Sequence, residues 1–194
     1  MTRSRAWPLA AAGLLACSAP RSRAAEPSQT EAAQLSVEPG IELYKACTPS
    51  GPERCFDATD DNCNGLIDEG CGVDTGLLQF VIAWDARSAD VDLLVMDPNG
   101  ELVEVGRVAK SGLVKKQDCP GRRNECHGQN LENVFLEEGD PLRGRYIVRV
   151  RLEKIGDENP PIVVRFGARV GPKTYAAELE LERPEAERQI TLGL

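Results

Sequence analysis

The sequence has few of the residues from which catalytic centres and sugar-binding surfaces are commonly built. It contains one histidine, His127, and only 5% aromatic residues. A single histidine does not support a zinc site of the usual His/Cys kind if the cysteines are oxidised, and neither a Gly-x-Ser-x-Gly turn nor a glycine-rich phosphate loop occurs. These absences favour a non-catalytic protein, and the scarcity of aromatics favours protein contacts over glycan stacking. A Ser-His-Asp arrangement around His127 stays open as the alternative.

Basic residues are also in the minority. The chain has 23 Lys and Arg against 31 Asp and Glu, which gives a formal net charge of −8. This balance argues against nucleic acid as a partner and against a polybasic membrane patch, and it favours cations as ligands. No apolar run is long enough to span a bilayer.

The first 16 residues have the features of an export signal. Arg3 and Arg5 precede an apolar run, residues 6–16, which is too short to cross a membrane. The run leads into Leu-Leu-Ala-Cys ending at Cys17, which resembles the lipobox of bacterial lipoproteins. The resemblance implies cleavage before Cys17 and acylation of its thiol, so that acyl chains would provide the membrane anchor. A secretory signal cut near Ala24 is the alternative.

Cysteine usage agrees with export. If Cys17 carries lipid, six cysteines are left, an even number that can form three disulfides in an oxidising compartment. They are Cys47, Cys55, Cys63, Cys71, Cys119 and Cys126. Only the local pair Cys119 and Cys126 can be assigned from the sequence, and the other pairings stay open. The expected location is the bacterial cell envelope, with the protein lipid-anchored at the outer membrane and facing the periplasm or the surface.

Composition divides the chain into four segments. Residues 1–16 form the signal, and residues 17–40, rich in Ser, Ala, Pro and Glu, are expected to be a disordered tether. Residues 41–74 hold four cysteines and few large apolar residues, so a module of this size needs disulfide or metal staples. Residues 75–194 are the β-domain.

The β-domain is predicted from short strands separated by turns. Leu77–Trp84 is nearly all apolar, as expected for a strand buried on both faces, and Trp84 is expected in the core. Asp97-Pro98-Asn99-Gly100 predicts a hairpin turn between residues 91–96 and 101–105. Apolar and polar residues alternate in 146–152, 162–170, 175–181 and 190–194, with Ile147 as the exception. About eight strands in about 120 residues predict an all-β fold, an antiparallel, jelly-roll-like β-sandwich.

The sharpest local pattern is an acidic loop at residues 60–69. Counting Asp60 as position 1, side-chain oxygens fall at positions 1, 3, 5 and 9, and Gly65 stands at position 6, where a calcium loop bends. The candidate ligands are Asp60, Asn62, Asn64, the carbonyl of Leu66, Asp68 and Glu69. Position 12 is Cys71 rather than a bidentate glutamate, so affinity is expected in the range of extracellular modules, roughly 10⁻⁴–10⁻³ M. A disulfide-closed acidic turn that binds no ion is the alternative.

The stretch from Cys55 to Cys71 resembles a cysteine-framed metal-binding motif found in MopE-like and myxobacterial surface proteins. Its core is also similar to thrombospondin type 3 calcium repeats. The resemblance covers about 20 residues and implies that Asp60, Asn62, Asn64 and Asp68 bind a metal ion, with Ca²⁺ as the expected cofactor.

The opening of the β-domain, Trp84-Asp85 followed by Asp90-Val91-Asp92-Leu93 and Pro98-Asn99-Gly100, resembles bacterial exported sandwich domains. These are the YfaP-like domains of unknown function and the pre-peptidase C-terminal domains. The resemblance implies a non-catalytic accessory or surface module, and some such domains bind calcium. Asp90 and Asp92 are expected on one side of their strand, where an ion could be shared with Asp118 or Glu132. The alternative is a turn cap and a solvated carboxylate.

Together these features predict a calcium-stabilised exported lipoprotein. We expect it to be a non-catalytic binding module for an envelope protein or a glycan. A purely structural envelope scaffold is the second hypothesis. A hydrolase accessory domain or an enzyme is ranked third, because the candidate acids and bases show no recognisable catalytic geometry.

Overall fold

The fold is given by a computed structural model that describes residues 33–44, 47–116, 118–120, 126 and 129–194. The predicted signal, the lipidation residue Cys17 and His127 lie outside this part of the chain. The strands of the described part are β1 (Gln34–Val37), β2 (Leu78–Trp84), β3 (Asp90–Met96), β4 (Leu113–Lys115), β5 (Leu131–Leu136), β6 (Arg145–Lys154), β7 (Ile162–Val170), β8 (Lys173–Leu181) and β9 (Glu187–Gly193). None of the described residues forms a helix that could cross a membrane.

Two antiparallel sheets pack face to face. The four-stranded sheet has the order β1-β9-β6-β3, and the five-stranded sheet has the order β4-β5-β2-β7-β8. Every second residue of β6 faces the core, from Tyr146 to Leu152, and these side chains are at most 1% exposed. Alternation of this kind is what a sheet with one solvated face requires. The predicted all-β sandwich is confirmed.

The hairpin turn is also confirmed in its essentials. The Gly100 amide donates to the Asp97 carbonyl oxygen at 2.9 Å, and Asp97 Oδ1 accepts from the amides of Asn99 and Glu101. After the turn the chain returns beside β3, where the Val103 amide donates to the carbonyl of Val95. Residues 101–105 contribute an isolated bridge here rather than a full strand.

The cysteine-rich module covers the outer face of the five-stranded sheet. Ala58 and Ile67, both fully buried, pack on Val81, Ala83 and Leu131 of β2 and β5. This contact buries the second face of β2, so all seven of its residues are buried, as their composition predicted. The approach is close at Gly167 of β7, where a Cβ would overlap the Ala58 carbonyl oxygen.

Three disulfides staple the structure. Cys47 pairs with Cys63 and Cys55 with Cys71, so both bridges span 16 residues and close the module around the acidic loop. Cys119 pairs with Cys126, which confirms the local bridge expected there. The pairing inside the module, which the sequence left open, is therefore two interleaved loops. Three disulfides indicate an extracytoplasmic protein.

Residues 34–37 differ from the expected tether. They form β1, which pairs with β9 from Gln34–Gly193 to Val37–Ile190, and Leu35 and Val37 pack against the core. Composition alone did not reveal this strand, because four residues are too few for a clear alternation. The tether prediction is therefore wrong for residues 34–37, and the described chain belongs to one compact unit over residues 31–194.

Candidate metal sites

The acidic loop bends sharply at Gly65. Its φ of +85° lies in the left-handed region that favours glycine, and its amide donates to Asp60 Oδ2 at 3.0 Å. Asp60 Oδ1 accepts from the Asn64 amide at 3.0 Å, and Thr174 of β8 donates its hydroxyl to Asp60 Oδ2 at 2.8 Å. Asp60 therefore holds the bend of the loop through two backbone amides and ties the loop to β8 through Thr174.

Two asparagines and a glutamate converge inside this loop. Asn62 Nδ2 donates to Glu69 Oε1 at 2.5 Å, and Asn64 Nδ2 donates to the same oxygen. The Leu66 amide donates to Asn64 Oδ1 at 2.8 Å. The second carboxylate oxygen, Glu69 Oε2, is buried and has no hydrogen-bond partner among the described residues. A buried carboxylate oxygen without a donor is costly unless a cation satisfies it.

A second carboxylate, Glu53, closes the loop from outside the motif. Its Oε2 accepts from the Asp61 amide at 3.2 Å and its Oε1 from the Asp68 amide at 3.0 Å. Burial and then the nearby charge of Glu69 raise the pKa of Glu53 to about 7. Because the charge of Glu69 opposes ionisation of Glu53, a cation near Glu53 would offset that repulsion.

Asp68 faces the other way. Its carboxylate is fully buried and accepts from the amides of Phe56 (2.6 Å), Asp57 (3.2 Å) and Ala58 (3.1 Å). Burial raises the pKa of Asp68 to about 6, and the three amides oppose that shift. Asp68 therefore organises the turn that presses Ala58 onto the sheet, and the side chains that converge inside the loop are Asn62, Asn64 and Glu69.

The second acidic group is formed by Asp92, Asp118 and Glu132. One carboxylate oxygen from each lies within 4.8 Å of the others, so the three could hold a metal ion. Asp90, predicted to share this site, is not part of the group, and its carboxylate lies 3.9 Å from Lys154. Of the four predicted residues, Asp92, Asp118 and Glu132 bring their carboxylate oxygens together, and Asp90 lies beside them without joining the group.

A lysine already supplies positive charge to this group. Lys115 Nζ lies 2.7 Å from Glu132 Oε2 and 3.5 Å from Asp118 Oδ1, and the Lys115 side chain is only 5% exposed. Arg151 reaches Asp92 at 3.3 Å. A metal ion would therefore have to share these carboxylates with two cationic side chains, whereas no cationic side chain in the described part of the chain pairs with Glu69 of the acidic loop.

Glu132 and Lys115 also close the free edge of the four-stranded sheet. The Leu93 amide of edge strand β3 donates to Glu132 Oε2 at 2.7 Å, and Lys115 Nζ donates to the Leu93 carbonyl oxygen at 3.2 Å. The Cys119 amide donates to Glu132 Oε1 at 3.0 Å. The ion pair therefore satisfies the backbone amide and carbonyl of Leu93, as a neighbouring strand would. It also links the two sheets. Burial raises the pKa of Glu132 to about 8, and Lys115 opposes that shift.

Sequence reasoning missed Glu53, Thr174 and Lys115. Glu53 stands before the first cysteine of the motif, and Thr174 lies about a hundred residues beyond it, so neither has a spacing that marks it. The one available signal was Lys115, a lysine in the short apolar run Leu113-Val114-Lys115, where a buried charge needs a partner. Comparison of the chain with family models, curated proteins and solved structures finds no match.

The raised pKa values predict how stability depends on pH when no metal is bound. A carboxyl whose pKa is higher in the folded than in the unfolded protein stabilises the fold below its ordinary pKa, and this stability is lost as pH rises through the folded value. For Glu53 the window runs from 4.5 to about 7. We therefore expect the melting temperature in chelator to fall across this window, and the Glu53→Gln variant to give a flatter profile. Equal slopes in the two proteins would contradict the assignment.

Proposed function

We propose that this protein is a calcium-stabilised, non-catalytic binding module of the bacterial cell envelope, carried there as a lipoprotein. The metal belongs in the acidic loop, held by Asp60, Asn62, Asn64, the Leu66 carbonyl and Glu69. The observation that carries this proposal is the buried Glu69 Oε2, which has no hydrogen-bond partner in the described part of the chain.

Calcium suits this group better than other common ions. The available donors are carboxylate, amide and carbonyl oxygens, which hard cations prefer, and a flexible loop suits Ca²⁺ better than the strict octahedron of Mg²⁺. The amide nitrogens of Asn62 and Asn64 are turned toward Glu69 in the structure. Turning these amides over would bring their oxygens onto the ion beside the glutamate.

The ion has a structural role in this proposal. Two disulfides close the module, yet few large apolar side chains lie inside it, so a bound ion adds stability that a core this small does not provide. The same loop rests on β8 through Thr174 and on β2 through Ile67. Calcium would therefore hold the module in place on the sandwich, and a binding surface formed by both would keep its shape.

Thermal melting tests the metal site. At a free calcium concentration about 100 times Kd, binding to the folded state alone should stabilise it by about 2.7 kcal/mol, or roughly 5–10 °C in a chain of this size. Chelator should reverse the shift. Glu69→Gln should lose most of it, whereas the matched change Glu104→Gln, at a side chain that is 63% exposed, should keep it.

The same measurement separates the two acidic groups. Asp118→Asn changes the group around Glu132 and leaves the acidic loop intact, so this variant should keep the calcium shift. Loss of the shift in Asp118→Asn and its retention in Glu69→Gln would move the ion to Asp92, Asp118 and Glu132. An unchanged melting temperature of the parent protein in calcium and in chelator would remove the calcium proposal altogether.

A further inference from the structure

An open cleft of about 1030 Å³ lies where the cysteine-rich module meets the end of β2. Residues 54–57 of the module form one wall, and another is formed by Trp84, the last residue of β2, together with Asp85 and Arg87. Gln129 and Asn130, just before β5, complete the polar lining.

Arginines outnumber carboxylates in the lining of the cleft. Three arginines line it, Arg54, Arg87 and Arg165, against two carboxylates, Asp57 and Asp85. The whole chain has a net charge of −8. Arg54 is already paired with Asp61, its Nη2 lying 2.8 Å from Asp61 Oδ1, and Arg165 is paired with Asp85. Because charges separated by more than about 8 Å are largely screened at physiological salt, an anionic ligand in the cleft would respond mainly to Arg87, and to Arg165 where it displaces Asp85.

The arginines are positioned to receive a carboxylate. Arg165 holds Asp85 with both terminal nitrogens, at 2.9 and 3.0 Å, in the planar fork that matches a carboxylate. The Asp85 side chain is 86% exposed, so an incoming carboxylate can exchange with it, and Arg165 Nε is buried with no hydrogen-bond partner among the described residues. Arg87 is exposed, and no ion pair of it occurs in the described part of the chain.

From this geometry we infer that the cleft binds an acidic peptide segment of a partner protein, with Arg87 and Arg165 contacting its carboxylates. The inference rests on the proposed binding function and names its surface and the chemistry of its partner. The module wall is held in place for this role, because Asp68 fixes the amides of Phe56 and Asp57. A preorganised wall lowers the ordering cost of binding.

A peptide fits the cleft better than a glycan does. Sugar recognition commonly uses an exposed aromatic face, but Trp84 is only 3% exposed and its ring N–H donates to the Ala89 carbonyl at 3.1 Å. Phe56 is the other aromatic residue of the lining. The amide side chains of Gln129 and Asn130 offer hydrogen bonds of the kind that a peptide backbone uses.

Binding of a labelled hexaglutamate peptide to the full chain, in saturating calcium, tests the inference. We expect saturable binding that weakens with added salt, and Arg87→Glu should raise Kd by about tenfold or more, since hydrogen bonds to charged groups contribute about 1.5–3 kcal/mol. Arg143→Glu is the matched control. Arg143 is also exposed, but it lies away from the cleft. It stands just before the first residue of β6, whereas Arg87 is near the start of β3, which pairs with the last residues of β6.

The outcomes separate the two proposals. No saturable binding of hexaglutamate, or an equal loss in Arg87→Glu and Arg143→Glu, would overturn the peptide site. Binding of a sulfated oligosaccharide without binding of hexaglutamate would also overturn it and would identify a glycan site instead. The calcium-dependent melting shift is measured separately on the same variants, and Arg87→Glu should retain it.

Discussion

Replacing Lys115 with methionine is expected to destabilise the protein by about 3–5 kcal/mol, because it leaves the carboxylate of Glu132 buried without its counter-charge. Glu132 is fully buried and lies 2.7 Å from the lysine ammonium. Denaturant unfolding monitored by circular dichroism measures the loss. The neighbouring variant Lys116→Met is the control. Lys116 is 47% exposed and contacts Asp74 and Glu137 at the surface, so its loss should cost less than about 1 kcal/mol.

The destabilisation should also depend on pH. Below its ordinary pKa of 4.5 Glu132 is neutral in both states, so the missing lysine matters less there. As pH rises toward 8, the folded variant must either ionise an unpaired buried group or retain a proton, and it loses stability. The double variant Lys115→Met/Glu132→Gln should recover part of the loss at pH 8. A cost that is the same at both ends of the pH range would show that lost packing, and not the charge, is responsible.

The strands that follow simple rules were predictable from the sequence. β6 and β7 alternate strictly on their core side because one face of each meets the opposite sheet. β2 is apolar throughout because the module covers its second face, and the composition of Leu77–Trp84 indicated that two-sided burial. Which part of the chain would provide the cover was not visible, since no spacing connects Ile67 with Val81.

β5 was missed for the opposite reason. Its sequence, Leu131 to Leu136, contains Glu132 and Asn133, two polar residues that normally argue against a buried strand. Here both are buried and hydrogen-bonded: Glu132 with Lys115 and Leu93, and Asn133 with Gln79 and the Asp74 carbonyl. The pattern of a strand is therefore broken where side chains bridge distant parts of the fold, and such bridges cannot be derived from local periodicity.

The acidic loop illustrates the same limit at the level of single ligands. Its spacing placed the bend at Gly65, where the backbone has a positive φ, and the side chains of Asn62 and Asn64 both contact Glu69, which lies outside the spacing pattern. Spacing along the chain treats Asp68 as one more inward-pointing oxygen, but it sits beside Ile67, the residue that enters the core. The disulfide from Cys55 to Cys71 brings the turn at residues 56–58 over the loop. The three backbone amides of this turn need an acceptor, and the carboxylate of Asp68 provides it.

Asp68→Ala should accordingly be among the most destabilising single changes in the module, at about 3–5 kcal/mol. It leaves three backbone amides without an acceptor, each of which costs about 1–3 kcal/mol when buried and less where water can reach it. Asp68→Asn should cost less, since one acceptor oxygen stays. Asp57→Ala, in the same turn, is the control. Its carboxylate accepts only the Thr59 amide among the described backbone groups and lies 3.7 Å from Arg54 at the surface.

Chelator distinguishes this structural role from metal binding. If Asp68 acts by holding the turn at residues 56–58, the Asp68→Ala variant must lose as much stability in chelator as in calcium, because those amides are unsatisfied in either case. If Asp68 acts as a calcium ligand, the parent and the variant must converge in chelator and differ only when calcium is present. Glu69→Gln should behave in that second way. The opposite behaviour expected of these adjacent residues follows from their hydrogen bonding, since the carboxylate of Asp68 accepts three backbone amides while Glu69 Oε2 has no hydrogen-bond partner among the described residues.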